Sequence, residues 1–276
     1  MTEANLNIAP EQVAFFHING YLALPALTTQ EDVGKLRDSY DRIFRERAGR
    51  DEGDQFDLAG ADEEGKEAAL PQILNPAKYA PEMNDSLLLA NCTKLVKTLL
   101  GPEATCGFAH AIFKPAKIGA ETPWHQDAAY WGGEWLHRGI SIWVPLQEAK
   151  VENGCMWFVP NSHEPREVYP HQSIGNDPRI HGLELKADQL HRTTTGLPCP
   201  LPPGGCTVHG GYMMHYTGAN KSDIPRRALI LMGGLPGIKR DVPQKYPWIE
   251  DKQTARENRA KEAAVRKAKA PISVGR

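Results

Sequence analysis

Near the middle of the chain, Pro123-Trp124-His125-Gln126-Asp127-Ala128-Ala129-Tyr130-Trp131 places an imidazole and a carboxylate two residues apart. On an extended backbone such a pair projects to one side. With a second imidazole from elsewhere, it makes the facial triad that holds non-haem Fe(II) and leaves three positions open for substrates and oxygen. An HxD pair is short enough to arise by chance, so its meaning rests on what else the chain supplies. Two histidines compete for the third place, His209 and His215, both within Cys206-Thr207-Val208-His209-Gly210-Gly211-Tyr212-Met213-Met214-His215. They share parity, so a regular strand would turn both to one face, and a kink at Gly210-Gly211 could reorient one of them. Turn residues over 216–222 lead into Pro225-Arg226-Arg227-Ala228-Leu229-Ile230-Leu231, a strand whose hairpin would return Arg226 beside His215. A buried guanidinium is costly unless it meets an anion, and its planar fork suits a carboxylate, so a dicarboxylate is an expected occupant.

Elements to position these groups can be read in order. Residues 9–19 carry Val13, Phe15 and Phe16 and end at Asn19-Gly20, which predicts a short helix; Tyr21-Leu22-Ala23-Leu24 reads as a strand. Thr28-Thr29-Gln30-Glu31 offers an N-cap to a second helix through Val33, Leu36, Tyr40 and Phe44. Ser86 to Leu100 predicts a third, stopped at Gly101-Pro102. Between them, 50–66 is acidic and poor in apolar residues, so a solvated loop is expected ahead of one that folds over a site. Extended runs follow at 70–76, 107–114, 123–131, 141–146, 155–159, 167–169, 206–215 and 227–234, separated by Gly, Pro, Asn and Asp. Helices first and strands later imply an α+β protein whose core is a jelly roll, the cupin-like double-stranded β-helix, with N-terminal helices packed outside. One domain is expected over 1–250, and 251–276, rich in Ala, Lys, Arg and Glu, as a charged tail or solvated helix without assigned function.

A chain of 276 residues, 41% hydrophobic, can bury one substantial core. A formal net charge of −2 gives no reason to expect nucleic acid or an anionic membrane as partner. There is no basic segment followed by an apolar run at the N-terminus and no long apolar stretch, so a cytoplasmic location is expected. Five scattered cysteines lack CxxC spacing and read as small buried hydrophobes, not as a disulfide or zinc framework.

Three ordered blocks carry a more specific signal: Trp-His-Gln-Asp at 124–127, Glu-Asn-Gly-Cys-Met-Trp-Phe-Val-Pro-Asn-Ser-His at 152–163, and His-Tyr-Thr-Gly-Ala-Asn-Lys-Ser with Arg-Arg-Ala over 215–228. Together they resemble the phytanoyl-CoA dioxygenase-like branch of the Fe(II)/2-oxoglutarate-dependent oxygenases, over about Tyr21 to Gly234. The family spaces its distal metal histidine eleven residues before the arginine that holds 2-oxoglutarate, and His215 to Arg226 has that spacing. The resemblance therefore implies that His125, Asp127 and His215 bind Fe(II), and that Arg226, helped by the Thr217 hydroxyl, pairs with the far carboxylate of 2-oxoglutarate. It leaves His209 a supporting role. Gln126 and Trp143 match positions that line the cosubstrate pocket in some relatives, and Gln72 is the candidate for a polar group that the 70–76 strand often contributes. In a halogenating offshoot the aspartate is replaced by a small residue; Asp127 is intact, which favours oxygen insertion over chlorination.

The implied chemistry couples oxidative decarboxylation of 2-oxoglutarate by O2, giving succinate and CO2, to attack on a substrate C–H bond, with hydroxylation the usual outcome. Tyr130 and Trp131, following the metal motif, are expected to wall the substrate side. These aromatics and the lack of a basic cluster favour a small, fairly apolar metabolite over a CoA thioester. The rivals are a metal-dependent jelly-roll isomerase or hydrolase that does not use 2-oxoglutarate, and a binding protein with a vestigial site.

Overall fold

Local signals start and stop the first helices. In the computed structural model, which describes residues 5–63, 65–164 and 166–269, helix α1 (Pro10–Asn19) ends at Gly20, whose φ of 81° is the left-handed geometry that glycine adopts without cost. Strand β1 (Tyr21–Leu24) follows, then α2 (Gln30–Arg45), whose N-cap Thr29 accepts from the Asp32 N–H at 3.2 Å. Next come β2 (Gln55–Asp57), β3 (Pro71–Leu74), α3 (Pro76–Tyr79) and α4 (Leu87–Leu100). Ser86 caps α4 by accepting from the Leu89 N–H, also at 3.2 Å. From there the chain is mostly strand: β4 (Thr105–Lys114), β5 (Thr122–His125), β6 (Trp135–Pro145), β7 (Met156–Phe158), β8 (His171–Ser173), β9 (Leu183–Leu185), β10 (Leu197–Cys199), β11 (Cys206–Gly210), β12 (His215–Thr217) and β13 (Arg226–Lys239). Helices α5 (Pro247–Glu250) and α6 (Ala255–Lys269) close it.

These strands make a seven-stranded sheet in the order β1-β11-β6-β13-β4-β3-β2, a four-stranded sheet β10-β7-β12-β5, and the pair β8-β9. Every pairing is antiparallel. The architecture is the expected α+β jelly roll, with helices outside. Alternation along the large sheet divides its residues between two environments. Ile140, Ile142, Val144, Val208, Leu229 and Leu231 pack with the inner faces of α2 and α4. On the opposite face Trp143, Ala228 and Ile230 meet Met156, Phe158 and Cys199 from the small sheet, and the cavity described below opens between the sheets. A β-bulge in β4 changes the alternation: Ile230 pairs with His110 but Leu231 with Phe108, so the extra residue Ala109 leaves Phe108 on the helix side and His110 on the cavity side.

Four expectations are corrected. Arg226 does not return in a hairpin: His215 lies in the small sheet between β7 and β5, whereas Arg226 pairs with Lys114 in the large one. The chain crosses between sheets at 218–225, where Asn220 donates to the carbonyls of Lys114, Pro115 and Ile224. The 50–66 stretch is no solvated loop, since it contributes the edge strand β2, buries Phe56 and Leu58, and is pinned by Asp57, which accepts from the N–H groups of Ala59, Ala69 and Leu70. Residues 167–169 form no strand, because the Gln126 side chain takes the Glu167 carbonyl and the Tyr169 N–H that a ladder would need. The C-terminal segment, as far as residue 269, is a helix docked on residues 50–62. Arg256, Arg259 and Arg266 donate to the carbonyls of Gly53, Arg50 and Asp51, and Asp62 is paired with both Arg50 and Arg259. Four of the cysteines are buried and all five are free. Among the described residues no helix is long and apolar enough to cross a membrane.

Candidate active site

His125 is the last residue of β5, and Gln126 keeps extended geometry (φ −124°, ψ 132°) before Asp127 opens a single 3-10 turn through Tyr130. The pair therefore projects together, although the strand expected to Trp131 stops at His125. The Ala128 N–H holds the turn by donating to the Gly211 carbonyl at 2.8 Å. Gly211 is needed for a second reason: a Cβ there would lie 2.3 Å from the Trp131 ring. His215, directly across from His125 in the β12–β5 register, completes the group. Ligand atoms of His125, Asp127 and His215 all lie within 4.8 Å of one another.

Hydrogen bonds fix which atoms face inward. His125 Nδ1 is 2.7 Å from the Pro123 carbonyl and His215 Nδ1 is 2.9 Å from that of Met213. A carbonyl can only accept, so each Nδ1 carries the proton and each Nε2 keeps its lone pair for a metal. Both Nε2 atoms approach the same carboxylate oxygen, Asp127 Oδ1, at 3.8 and 3.4 Å. Its other oxygen is occupied, accepting from Ser141 Oγ at 2.6 Å with His209 Nε2 at 3.3 Å. His209 thus flanks the aspartate from the large sheet and is not a member of the converged triad; the break at Gly210-Gly211 puts the two histidines on different sheets, both facing inward. Burial, reinforced by the neighbouring His215, holds His125 well below the ordinary imidazole range and His209 down to about 4, so both are neutral at pH 7. Burial opposes the charged form of Asp127, but His215 and His209 beside it outweigh that and keep its carboxyl well below the usual carboxylate range. Two imidazoles with Nε2 turned inward and an ionised carboxylate are the donor set that suits Fe(II).

Arg226 is the largest fully buried side chain, and it lines the same cavity, of about 360 Å³. Its Nε and Nη1 have no hydrogen-bond partner among the described residues, and the guanidinium lies 5.3 Å from the Trp143 ring centroid. Burial pulls its pKa down to about 10, still leaving it charged. An unpaired cation at such depth is a standing cost that an incoming carboxylate would remove. Thr217 and Gln72 line the cavity too, Thr217 donating to Thr122 Oγ1 at 3.0 Å; so do Trp143, Tyr130 and Trp131. Gln126 does not: fully buried, it donates to the carbonyls of Glu167 and Tyr212 and accepts from Tyr169, pinning the chain beneath the metal motif.

Other contributors carried no mark in the sequence. Lys114 is fully buried, and its Nζ donates to the carbonyls of Ala120 (2.7 Å), Thr217 (3.3 Å) and Gly218 (2.7 Å), holding the chain just beyond His215. His171 accepts from the Gln126 N–H at 3.1 Å through Nε2 while its Nδ1 faces the Tyr169 carbonyl at 2.6 Å. His110, His181 and Arg256 line the cavity alongside Leu58, Leu74 and Ile112, so a largely apolar lining carries these polar groups as well.

A metal-ready His-Asp-His group between two antiparallel sheets, with a buried unpaired arginine in the same cavity, defines the class: a double-stranded β-helix oxygenase site fit for iron and 2-oxoglutarate. The chain belongs to the phytanoyl-CoA dioxygenase family, whose model matches residues 16–228. Among solved structures it is similar to EvdO2 of Micromonospora carbonacea var. aurantiaca complexed with 2-oxoglutarate, at 35% identity and a TM-score of 0.75, covering 90% of this chain and 99% of that one. The epimerase SnoN in complex with Fe3+, alpha-ketoglutarate and nogalamycin RO shares the fold (TM-score 0.63, 20% identity, 81% of this chain and 82% of that one). Phytanoyl-CoA dioxygenase domain-containing protein 1 of Danio rerio is 33% identical over 125 residues, 42% of this chain and 40% of that protein, so the match spans less than half of that relative's length.

Proposed function

We propose that this protein is an Fe(II)- and 2-oxoglutarate-dependent dioxygenase that oxidises, by hydroxylation, a C–H bond of a small-molecule metabolite held in the cavity between the sheets. The observation that carries this reading is the coincidence in one cavity of three inward-facing ligand atoms and the orphaned Arg226 guanidinium. In it, His125, Asp127 and His215 hold Fe(II), and Arg226 with Thr217 takes the far carboxylate of 2-oxoglutarate. Bound iron and 2-oxoglutarate would supply the electrons that reduce O2 and so the oxidant that attacks the C–H bond.

The chain's own work is to fix ligands, hold charge and limit water. Ser141 and His209 keep one Asp127 oxygen engaged so that the other is presented. Trp143 covers the Arg226 guanidinium, and Tyr130, whose hydroxyl accepts the Leu183 N–H at 2.7 Å, and Trp131 form a wall that excludes water.

Anaerobic addition of Fe(II) and then 2-oxoglutarate to the apo-protein tests the assignment. A weak visible charge-transfer band is expected in wild type, absent in His215→Ala, and reached in Arg226→Ala only at cosubstrate concentrations about a hundredfold higher, since truncating one member of a buried charge pair costs about 2–5 kcal/mol. Metal binding without a band, or an Arg226→Ala protein that behaves as wild type, would direct the assignment to jelly-roll enzymes that do not use 2-oxoglutarate.

A further inference from the structure

The cavity holds a second set of unpaired polar groups, apart from the triad and Arg226. Arg256, on the first turn of α6, is held from behind: its Nε donates to the Gly53 carbonyl at 3.0 Å and its guanidinium lies 5.0 Å from the Phe56 ring centroid. Its terminal nitrogens make no hydrogen bond among the described residues, and the side chain lines the cavity. The ring of His181 packs edge-on to that same Phe56 (centroids 4.9 Å apart) and lies 5.9 Å from the ring of Tyr130. His110 is aimed into the cavity by the β4 bulge. Nδ1 of His110 and Nδ1 of His181 are both buried without a partner among the described residues. Lys252 adds positive charge beside these groups, its Nζ bonded to the His181 carbonyl and 5.2 Å from the Tyr130 ring centroid.

Charge accounting favours an anionic occupant. With iron and cosubstrate bound, the positive charges of the metal and Arg226 are matched by Asp127 and the two carboxylates of 2-oxoglutarate. Asp127 is the sole carboxylate lining the cavity among the described residues, so Arg256 has no counter-ion there. The acids that act on it electrostatically, Glu257 and Asp54, lie outside the lining, and Asp54 is already engaged by Lys78 at 2.8 Å and by Tyr79 at 2.6 Å. A planar fork with two neutral imidazoles beside it, each free to turn an N–H to an acceptor, matches a carboxylate. We infer that His110, His181 and Arg256 form an oxyanion subsite and that the substrate of this enzyme bears a carboxylate bound there. This rests on the oxygenase reading above, because it requires Arg226 to be occupied by the cosubstrate.

The test uses full-length protein loaded anaerobically with Fe(II) and saturating 2-oxoglutarate, so that Arg226 is filled and the visible band reports it. Calorimetric titration then compares small acids with their uncharged amides: benzoate with benzamide, cyclohexanecarboxylate with its amide, 3-hydroxybutyrate with its amide. Acids are expected to bind at least tenfold more tightly than their amides in wild type. In Arg256→Gln the preference should fall to near unity with the band intact, and in Arg256→Lys it should be partly kept. His110→Leu leaves the docking of α6 untouched and should reduce the preference severalfold, which keeps the question answerable if Arg256→Gln does not fold. If no acid outbinds its amide in wild type, or if the preference survives in both Arg256→Gln and His110→Leu, the subsite is refuted. Absence of the band in wild type refutes instead the oxygenase reading on which the subsite depends.

Discussion

At the scale of single residues, the site works because each polar atom has one job. Ser141 Oγ engages the Asp127 oxygen that does not face the histidines. Removing it in Ser141→Ala frees that carboxylate to rotate, and metal affinity is expected to fall by about 10–100-fold while the fold persists, measurable by competition with a chelator of known affinity. His171 acts one step further out, joining the Gln126 N–H to the Tyr169 carbonyl, and burial holds it down to about 4 from the ordinary 6.5. A depressed imidazole means that the unfolded chain takes up a proton which the folded chain refuses. Its contribution to stability is therefore complete above about pH 6.5 and is lost as pH falls toward 4, amounting to about 3 kcal/mol. Urea unfolding of the apo-protein between pH 7 and 4 should show a shallower loss of stability in His171→Asn than in wild type; parallel curves would show that His171 is not held neutral.

At the scale of elements, the unexpected participants are α6 and the 50–62 segment, which build one side of the cavity together. Half-buried Asp62 lies between Arg50 (2.5 Å) and Arg259, and Gly53, at φ 76°, leaves no room for a side chain because a Cβ would lie 2.3 Å from the Arg256 carbonyl. In Arg259→Ala, Asp62 keeps Arg50, so the global fold should survive while α6 undocks more readily, at a cost of about 1–3 kcal/mol. Hydrogen exchange would read this as faster exchange confined to residues 255–269 and 50–62. Protection unchanged there would mean that the Asp62 pairings do not hold the helix. Asp62 and Arg259 were illegible as partners beforehand because nearly two hundred residues separate them and neither stretch carries an apolar pattern that would predict docking.

At the scale of the whole molecule, iron and cosubstrate held as proposed would join the two sheets: His125 and His215 come from the small sheet, Ser141, His209 and Arg226 from the large one. The preformed site does not exist in the unfolded chain, so ligands should stabilise the native state by mass action. Fe(II) at a hundredfold excess over its dissociation constant contributes about 2.7 kcal/mol. For a domain of this size that is a rise of several degrees in Tm. A scan under anaerobic conditions should show this, with a further rise on adding 2-oxoglutarate in wild type but not in Arg226→Ala. A cosubstrate increment that persists in Arg226→Ala would place the dicarboxylate elsewhere.

What the sequence determined by itself was whatever is local or is carried by an ordered motif: the caps at Thr29 and Ser86, the stop at Gly20, the strand-rich second half, and the His125, Asp127, His215 and Arg226 set recognised through family spacing. Parity alone could not choose between His209 and His215, because the choice depends on a break at Gly210-Gly211 that sends the two halves to different sheets. Nor could it place Gln126, whose amide serves backbone groups about forty and eighty residues away in place of the cavity. Only the tertiary structure decided that Arg226 reaches the site across the sandwich and not by a hairpin, that a one-residue bulge turns His110 inward, and that the charged C-terminal helix brings Arg256 to the pocket. The physical reason is common to all three. Turns and caps are set by a few neighbouring residues, whereas burial of a polar side chain is set by which distant strands and helices supply its partners, and that is known only once the sheets have closed on one another.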